Sequence, residues 1–263
     1  MKDINFLKQN NVDVDKCLEL FGDIETYNDT IKEFQSGLDE KLSQITKYYN
    51  DGDMPNYAIY VHSLKSDCKY FGFTTLANIA YEHEMKSKNN DFEYVKNNYA
   101  RLMEEAEKVK NIVNEYLEDN TTIETLNEEN ETLTEDIILV ADDSEVIRIF
   151  VKKIFDADYQ LEFAKNGEEA LKVIRDHEDD NRIKAILLDL NMPKVSGFSV
   201  LDYMTQSNLL EKMPVTIISG DSSSEAINRA FEYPIVDMIN KPFSEAKIKD
   251  AVEKTIRQAS NKS

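Results

Sequence analysis

The sequence predicts two domains of different class. An all-α antiparallel four-helix bundle is expected over residues 1–117, and a doubly wound, five-stranded parallel α/β sheet over residues 137–263, with an acidic linker at 118–136. Three observations lead there. The chain has 263 residues, enough for two domains that each bury a core. In its first half, apolar residues recur every three or four positions. In its second half, short apolar runs alternate with helical stretches.

In the first half, Tyr27, Ile31, Phe34, Leu38, Leu42, Ile45 and Tyr49 line one face of a long helix. The turn-forming run Asp51-Gly52-Asp53-Met54-Pro55 ends it, and Pro55 suits the first turn of the next helix. That helix buries Ala58, Val61, Leu64, Cys68 and Phe71 and stops at Gly72. A third begins near Thr75 with Leu76, Ile79 and Ala80 inward. A fourth starts near Asp91 and carries Val95, Leu102, Ala106, Val109, Val113 and Leu117. Short turns between amphipathic helices predict the antiparallel bundle, with a short helical lead before it.

Residues 118–136 hold eight acidic residues and no basic one, which is the composition of a linker. Beyond them the apolar runs are Ile137–Ala141, Tyr159–Ala164, Lys184–Leu188, Pro214–Ser219 and Ile235–Ile239. Helical stretches fall near 144–156, 167–177, 196–205, 223–231 and 244–259. Five strands alternating with five helices predict a parallel sheet, and ligands of such sheets bind outside the carboxyl ends of the strands.

Composition excludes several classes. Asp plus Glu exceed Lys plus Arg by 51 to 31, a net charge of −20 that opposes binding to a nucleic-acid backbone. The longest apolar runs are far too short for a bilayer, and the first residues lack a signal-peptide pattern. Cys17 and Cys68 cannot form a disulfide framework, and no Cys/His spacing suggests zinc. The expectation is a soluble cytoplasmic protein that binds neither nucleic acid nor membrane.

Strand ends carry the chemistry. The first ends in Asp142-Asp143, the third in Asp189 and the fourth in Ser219, while Lys241 follows the fifth. Three carboxylates held together repel unless a cation neutralises them, and an all-oxygen set suits Mg2+. A carboxylate beside magnesium and a lysine can attack phosphorus, since both cations offset charge on the transferring oxygens. Asp189, ending the central strand ahead of Met192-Pro193 and Gly197, is the candidate for the resulting acyl phosphate.

Residues 137–258 resemble the response-regulator receiver domain. The motifs are Ile138-Leu139-Val140-Ala141-Asp142-Asp143-Ser144, Ala164-Lys165-Asn166-Gly167-Glu168-Glu169-Ala170-Leu171 and Leu188-Asp189-Leu190-Asn191-Met192-Pro193 with Ser196-Gly197. Ile218-Ser219-Gly220-Asp221 and Lys241-Pro242-Phe243 complete the set. The resemblance implies that Asp189 accepts a phosphoryl group and that Asp142 and Asp143 help to hold magnesium, with the backbone carbonyl of Asn191 completing the metal site. It further implies that Ser219 and Lys241 bind phosphoryl oxygens, Ser219 moving as a switch. Members tend to have a cis bond at the position of Lys241–Pro242. Met238 departs from the pattern, standing where the family usually carries a switch aromatic.

The bundle contributes a histidine. For His83 and His177 the expectation is an ordinary surface position. His62 has Lys65, Ser66 and Lys69 at three, four and seven residues on, so they share its helix face opposite Val61, Leu64 and Cys68. That stripe is expected to face solvent, with imidazole as nucleophile and the two ammonium groups steadying a transferred phosphoryl group. From these residues, 1 to about 117 resemble a histidine-containing phosphotransfer domain. The motif is His62-Ser63-Leu64-Lys65-Ser66 with Gly72 ten residues after the histidine, and the family usually has glycine where Ser66 stands. The resemblance implies that His62 receives its phosphoryl group from a receiver's aspartyl phosphate rather than from ATP, and no glycine-rich nucleotide loop is present.

The whole reads as a phosphorelay carrier, not an enzyme, with phosphoryl groups on His62 and Asp189. Receiver-catalysed self-phosphorylation and dephosphorylation are compatible with that role. Upstream it expects a sensor histidine kinase or the receiver of a hybrid kinase; downstream, another receiver or signalling protein. No DNA-binding output domain is expected after the last helix. The alternative is a phosphorylation-gated adaptor in which only Asp189 is modified and the bundle docks a partner. An aspartate-nucleophile phosphatase needs a second acid two residues after the nucleophile, where Asn191 stands.

Overall fold

The computed structural model describes residues 1–117, 135–221 and 223–260. It divides into two compact units, Met1–Asn127 and Glu128–Ser263. The predicted linker lies outside the described residues from 118 to 134.

Among its described residues the first unit is helical throughout. Its helices are α1 (Asn5–Gln9), α2 (Val14–Phe21), α3 (Ile24–Asp51), α4 (Met54–Tyr70), α5 (Thr74–Lys88) and α6 (Phe92–Leu117). Local chemistry sets the boundaries. The Asp23 carboxylate accepts from the Thr26 backbone N–H at 2.8 Å and caps α3, whose far end turns at Gly52 in the left-handed region. Asp53 caps α4 in the same way, with Pro55 in its first turn. The predicted stripe of α3 is buried from Tyr27 to Ile45. Neighbours pack as α3 with α4, α4 with α5, α5 with α6, and α6 back on α3.

The expected short lead is two helices, and the second enters the core. Phe21 stacks on Phe71 with centroids 5.6 Å apart and meets Tyr27 edge-on at 5.8 Å. Gly72 lets α2 approach this cluster. Its φ is +74°, and a Cβ there would meet the Asp13 carbonyl oxygen at 2.7 Å.

The second unit is a five-stranded parallel sheet in the order β2-β1-β3-β4-β5. The strands are β1 (Ile137–Ala141), β2 (Gln160–Ala164), β3 (Ile183–Asp189), β4 (Val215–Ser219) and β5 (Asp237–Asn240). The helices between and after them are α7 (Glu145–Phe155), α8 (Gly167–Asp176), α9 (Gly197–Gln206), α10 (Ser224–Ala230) and α11 (Glu245–Ser260). Strands β1 and β4 are buried at every position, as strands covered on both faces must be, which is why they read as unbroken apolar runs. The last strand starts two residues later than its apolar run; just before it the Ile235 N–H bonds the Tyr233 carbonyl in a tight turn. Residues flanking the β1/β3 switch point, where the strand order reverses, are therefore the place to look for chemistry.

Candidate functional site

In the second unit the predicted residues come together. Asp142, Asp143 and Asp189 each offer a carboxylate oxygen, all within 4.8 Å of one another. The Lys241 ammonium lies 2.7 Å from Asp142 Oδ2 and 2.6 Å from Asp189 Oδ2. Asp142 and Asp189 are wholly buried, and Lys241 nearly so. An ammonium between two buried carboxylates offsets charge that neither could carry alone in so dry a place.

The electrostatics follow from that geometry. Burial pushes the Asp142 carboxyl up to about 7; the Lys241 ammonium opposes this, and the Asp189 and Asp143 charges add to it. Burial works against the charged form of Lys241, but Asp142 and Asp189 overcome it and hold the ammonium well above its ordinary range. The carboxylate of Asp189 is oriented on both oxygens, because the Asn191 backbone N–H donates to Oδ1 at 3.1 Å while Lys241 takes Oδ2.

Ser219 is buried at the end of β4, its Oγ accepting from the Asp221 N–H at 3.0 Å. The Lys241–Pro242 bond is cis, as the resemblance implies. Met238 is half-buried on β5 and packs against the sheet core. The Asn191 side-chain amide nitrogen is buried without a partner among the described residues. Sequence reasoning passed over Arg148, whose guanidinium donates to the Asp142 carbonyl at 2.6 Å and ties α7 to the end of β1.

Gly197 is required by proximity. A Cβ there would sit 2.1 Å from the Asp189 carbonyl oxygen, so only glycine lets α9 start directly against the end of β3. Gly167 has the same constraint against the Val195 carbonyl, at 2.2 Å. The loop that follows Asp189 is therefore held between two glycines.

In the first unit the structure corrects the sequence reading. His62, Lys65 and Ser66 do not face solvent: His62 is 1 % exposed and its two neighbours are buried with it, and of the predicted stripe only Lys69 is exposed. The stripe faces α5 instead, where Glu84 satisfies its charges. His62 Nδ1 lies 2.7 Å from Glu84 Oε1, and the Lys65 ammonium donates to Glu84 Oε2 at 2.6 Å. Lys88 adds a third contact at 2.7 Å. Burial alone would push the Glu84 carboxyl up. The hydrogen bond from His62, with the Lys65 and Lys88 charges, instead holds it well below the usual carboxylate range. An ionised Glu84 accepts, so the His62 proton belongs on Nδ1, and Nε2 is left with no partner among the described residues.

Glu84 was legible in principle. It sits with Ala80, His83 and Ser87 on the buried stripe of α5, and an acid on an apolar stripe signals a buried cation. His83 is also corrected from a surface residue to a core one. Tyr57 Oη lies 2.8 Å from its Nδ1, and burial lowers it to about 4. His177 is half-buried between Glu162 and Asp180, at 2.8 and 2.6 Å. Glu84→Gln is expected to lower stability by about 1–3 kcal/mol, because the amide leaves the buried Lys65 ammonium without its counter-charge. Urea unfolding at pH 7 measures it.

Residues 138–253 match the response regulator receiver domain. The chain is 30% identical over 122 residues to the probable methanogenesis regulatory protein FilR2 of Methanothrix harundinacea, covering 44% of this chain and 79% of that protein. It is 32% identical over 122 residues to response regulator RR06 of Streptococcus pneumoniae, covering 46% of this chain and 53% of the relative, about half its length. A receiver domain structure from Clostridium thermocellum aligns with 48% of this chain and 98% of its own, at 23% identity and a TM-score of 0.43. Through these residues the chain belongs to the response regulator receiver family. Its second unit is a module of two-component signalling. Among the described residues, no helix is long and apolar enough to cross a membrane.

Proposed function

We propose that the protein is a phosphorelay carrier that takes a phosphoryl group on Asp189 and on His62. The observation that carries the first half is the union of three carboxylates and Lys241 at the ends of β1, β3 and β5. Asp142, Asp143 and Asp189 form a hard, all-oxygen set that fits Mg2+, with the Asn191 backbone as a further oxygen donor. Bound there, magnesium would supply positive charge to the transferring phosphoryl oxygens. Asp189 attacks phosphorus; a P–O bond forms as the P–N bond to a kinase's phosphohistidine breaks, and the imidazole leaves with the electron pair. Lys241 then turns from Asp189 towards the phosphoryl oxygens, and the Ser219 hydroxyl donates to them.

Because the Asp142 carboxyl lies at about 7, a proton competes with the metal below that pH. Magnesium affinity should therefore rise roughly tenfold from pH 6 to pH 8 and level off above, as isothermal titration calorimetry would read. A flat profile over that range would remove Asp142 from the proton balance.

Support for the second half is the pairing of His62 Nδ1 with Glu84, which leaves the lone pair on Nε2. Nε2 attacks the phosphorus of a receiver's aspartyl phosphate, the P–N bond forms as the P–O bond breaks, and the carboxylate leaves. Glu84 offsets the charge that the ring gains. The natural partners are then a histidine kinase or hybrid-kinase receiver upstream and a receiver downstream. The burial of His62 favours the second reading, an adaptor in which only Asp189 is modified, since transfer needs the cover over Nε2 to open.

Phosphate-affinity electrophoresis decides between them. The chain and its His62→Ala variant are incubated with a phosphorylated receiver, and acid-labile phosphohistidine is separated from alkali-labile acyl phosphate. The relay requires acid-labile label on the chain and none on His62→Ala; equal acceptance by both leaves the adaptor.

A further inference from the structure

We infer that Ser66 is a phosphoryl-binding residue, its hydroxyl donating to an oxygen of the group carried on His62 Nε2. The inference rests on the relay reading above and concerns a residue to which that reading gives no specific bond.

Buried polar atoms are normally paired, and each orphan costs about 1–3 kcal/mol. On α4 two buried side-chain atoms have no partner among the described residues: His62 Nε2 and Ser66 Oγ. They lie one helical turn apart on the same face, where side chains four residues apart are neighbours. Because Cα–Cβ bonds tilt towards the helix N-terminus, the Ser66 Cα–Cβ bond leans towards the turn that carries His62.

Other helical hydroxyls of this chain bond the backbone instead. Thr30, Thr46, Ser87, Thr205 and Thr255 each donate to the carbonyl four residues back. Such back-bonding is the default for a hydroxyl with nothing better to bind. Ser66 has forgone it.

The nearest cation is already committed. Lys65 is bound to Glu84 and lies 3.1 Å from Nδ1, so its ammonium sits on the far side of the ring from Nε2. The Ser63 hydroxyl oxygen accepts from the Lys41 ammonium at 2.8 Å. Ser66 therefore supplies an uncommitted donor one turn from the uncommitted ring nitrogen. A phosphoryl group on Nε2 brings three acceptor oxygens and satisfies both atoms at once.

The test uses the full chain in an Asp189→Ala background, labelled with phosphoramidate. The P–N bond to the amide nitrogen breaks, the bond from phosphorus to Nε2 forms, and the nitrogen leaves as ammonia. The 31P resonance of the acid-labile product is then titrated with pH. A donor to the phosphoryl dianion favours the deprotonated form, so Ser66→Ala and Ser66→Gly should raise the titration midpoint by about 0.5–1 pH unit. Ser66→Thr, which keeps the hydroxyl, should hold the wild-type midpoint. The equilibrium constant for transfer from a phosphorylated receiver, measured in the Asp189→Ala background, should fall about tenfold for Ser66→Ala. Label on His62 with the same midpoint in wild type and Ser66→Ala overturns the inference and leaves the relay standing. Absence of acid-labile label on His62 in the parent overturns the relay reading itself.

Discussion

Asp189→Ala should abolish labelling by acetyl phosphate and magnesium, a loss on the order of 10³-fold or more, as removal of a nucleophile costs elsewhere. The substitution deletes the proposed acceptor oxygen and leaves the surroundings intact. Lys241 keeps its contact with Asp142 at 2.7 Å, so no buried ammonium is orphaned. One of three mutually repelling carboxylates is also gone. The variant should therefore fold at least as stably as wild type while accepting nothing, a combination that separates lost chemistry from lost structure. Phosphate-affinity electrophoresis beside a urea melt reads both. Normal labelling would place the acceptor elsewhere.

Lys241→Ala should act in the opposite way, through stability first. Asp142 and Asp189 are wholly buried, and the ammonium is the cation that faces both. Removing one partner of a buried ion pair typically costs about 3–5 kcal/mol, because the remaining charge keeps its desolvation penalty. That loss should appear in urea unfolding of the metal-free protein at neutral pH. Millimolar Mg2+ should return part of it in the variant and much less in wild type, since the metal replaces a missing counter-charge only in the former. Equal stabilisation of both proteins by magnesium would mean that Lys241 does not balance these carboxylates.

The receiver half was legible because its signals are local. Unbroken apolar runs mark buried parallel strands, and the residues that end those runs sit where chemistry must sit, so Asp142, Asp189, Ser219 and Lys241 could be placed by counting along the chain. The helical half was legible in its elements and not in its orientation. A stripe of His62, Lys65, Ser66 and Lys69 looks solvent-facing while charge is equated with exposure. What turns it inward is one carboxylate 22 residues from His62, on another helix, and pairing across helices leaves no periodic trace. The core role of Phe21 was hidden for a related reason. It belongs to a helix of eight residues, too short for its period to stand out.

The two glycines flanking the loop after Asp189 carry a consequence for heredity. Gly167 and Gly197 contribute no side chain to the site, and one of them precedes Asp189 by twenty-two positions. Yet neither tolerates even a methyl group without moving the peptide of Asp189 or the loop that follows it. In a genetic screen for signalling-dead alleles, both codons should be recovered beside those for the carboxylates and Lys241. The acidic site is thus a larger mutational target than the side chains that line it.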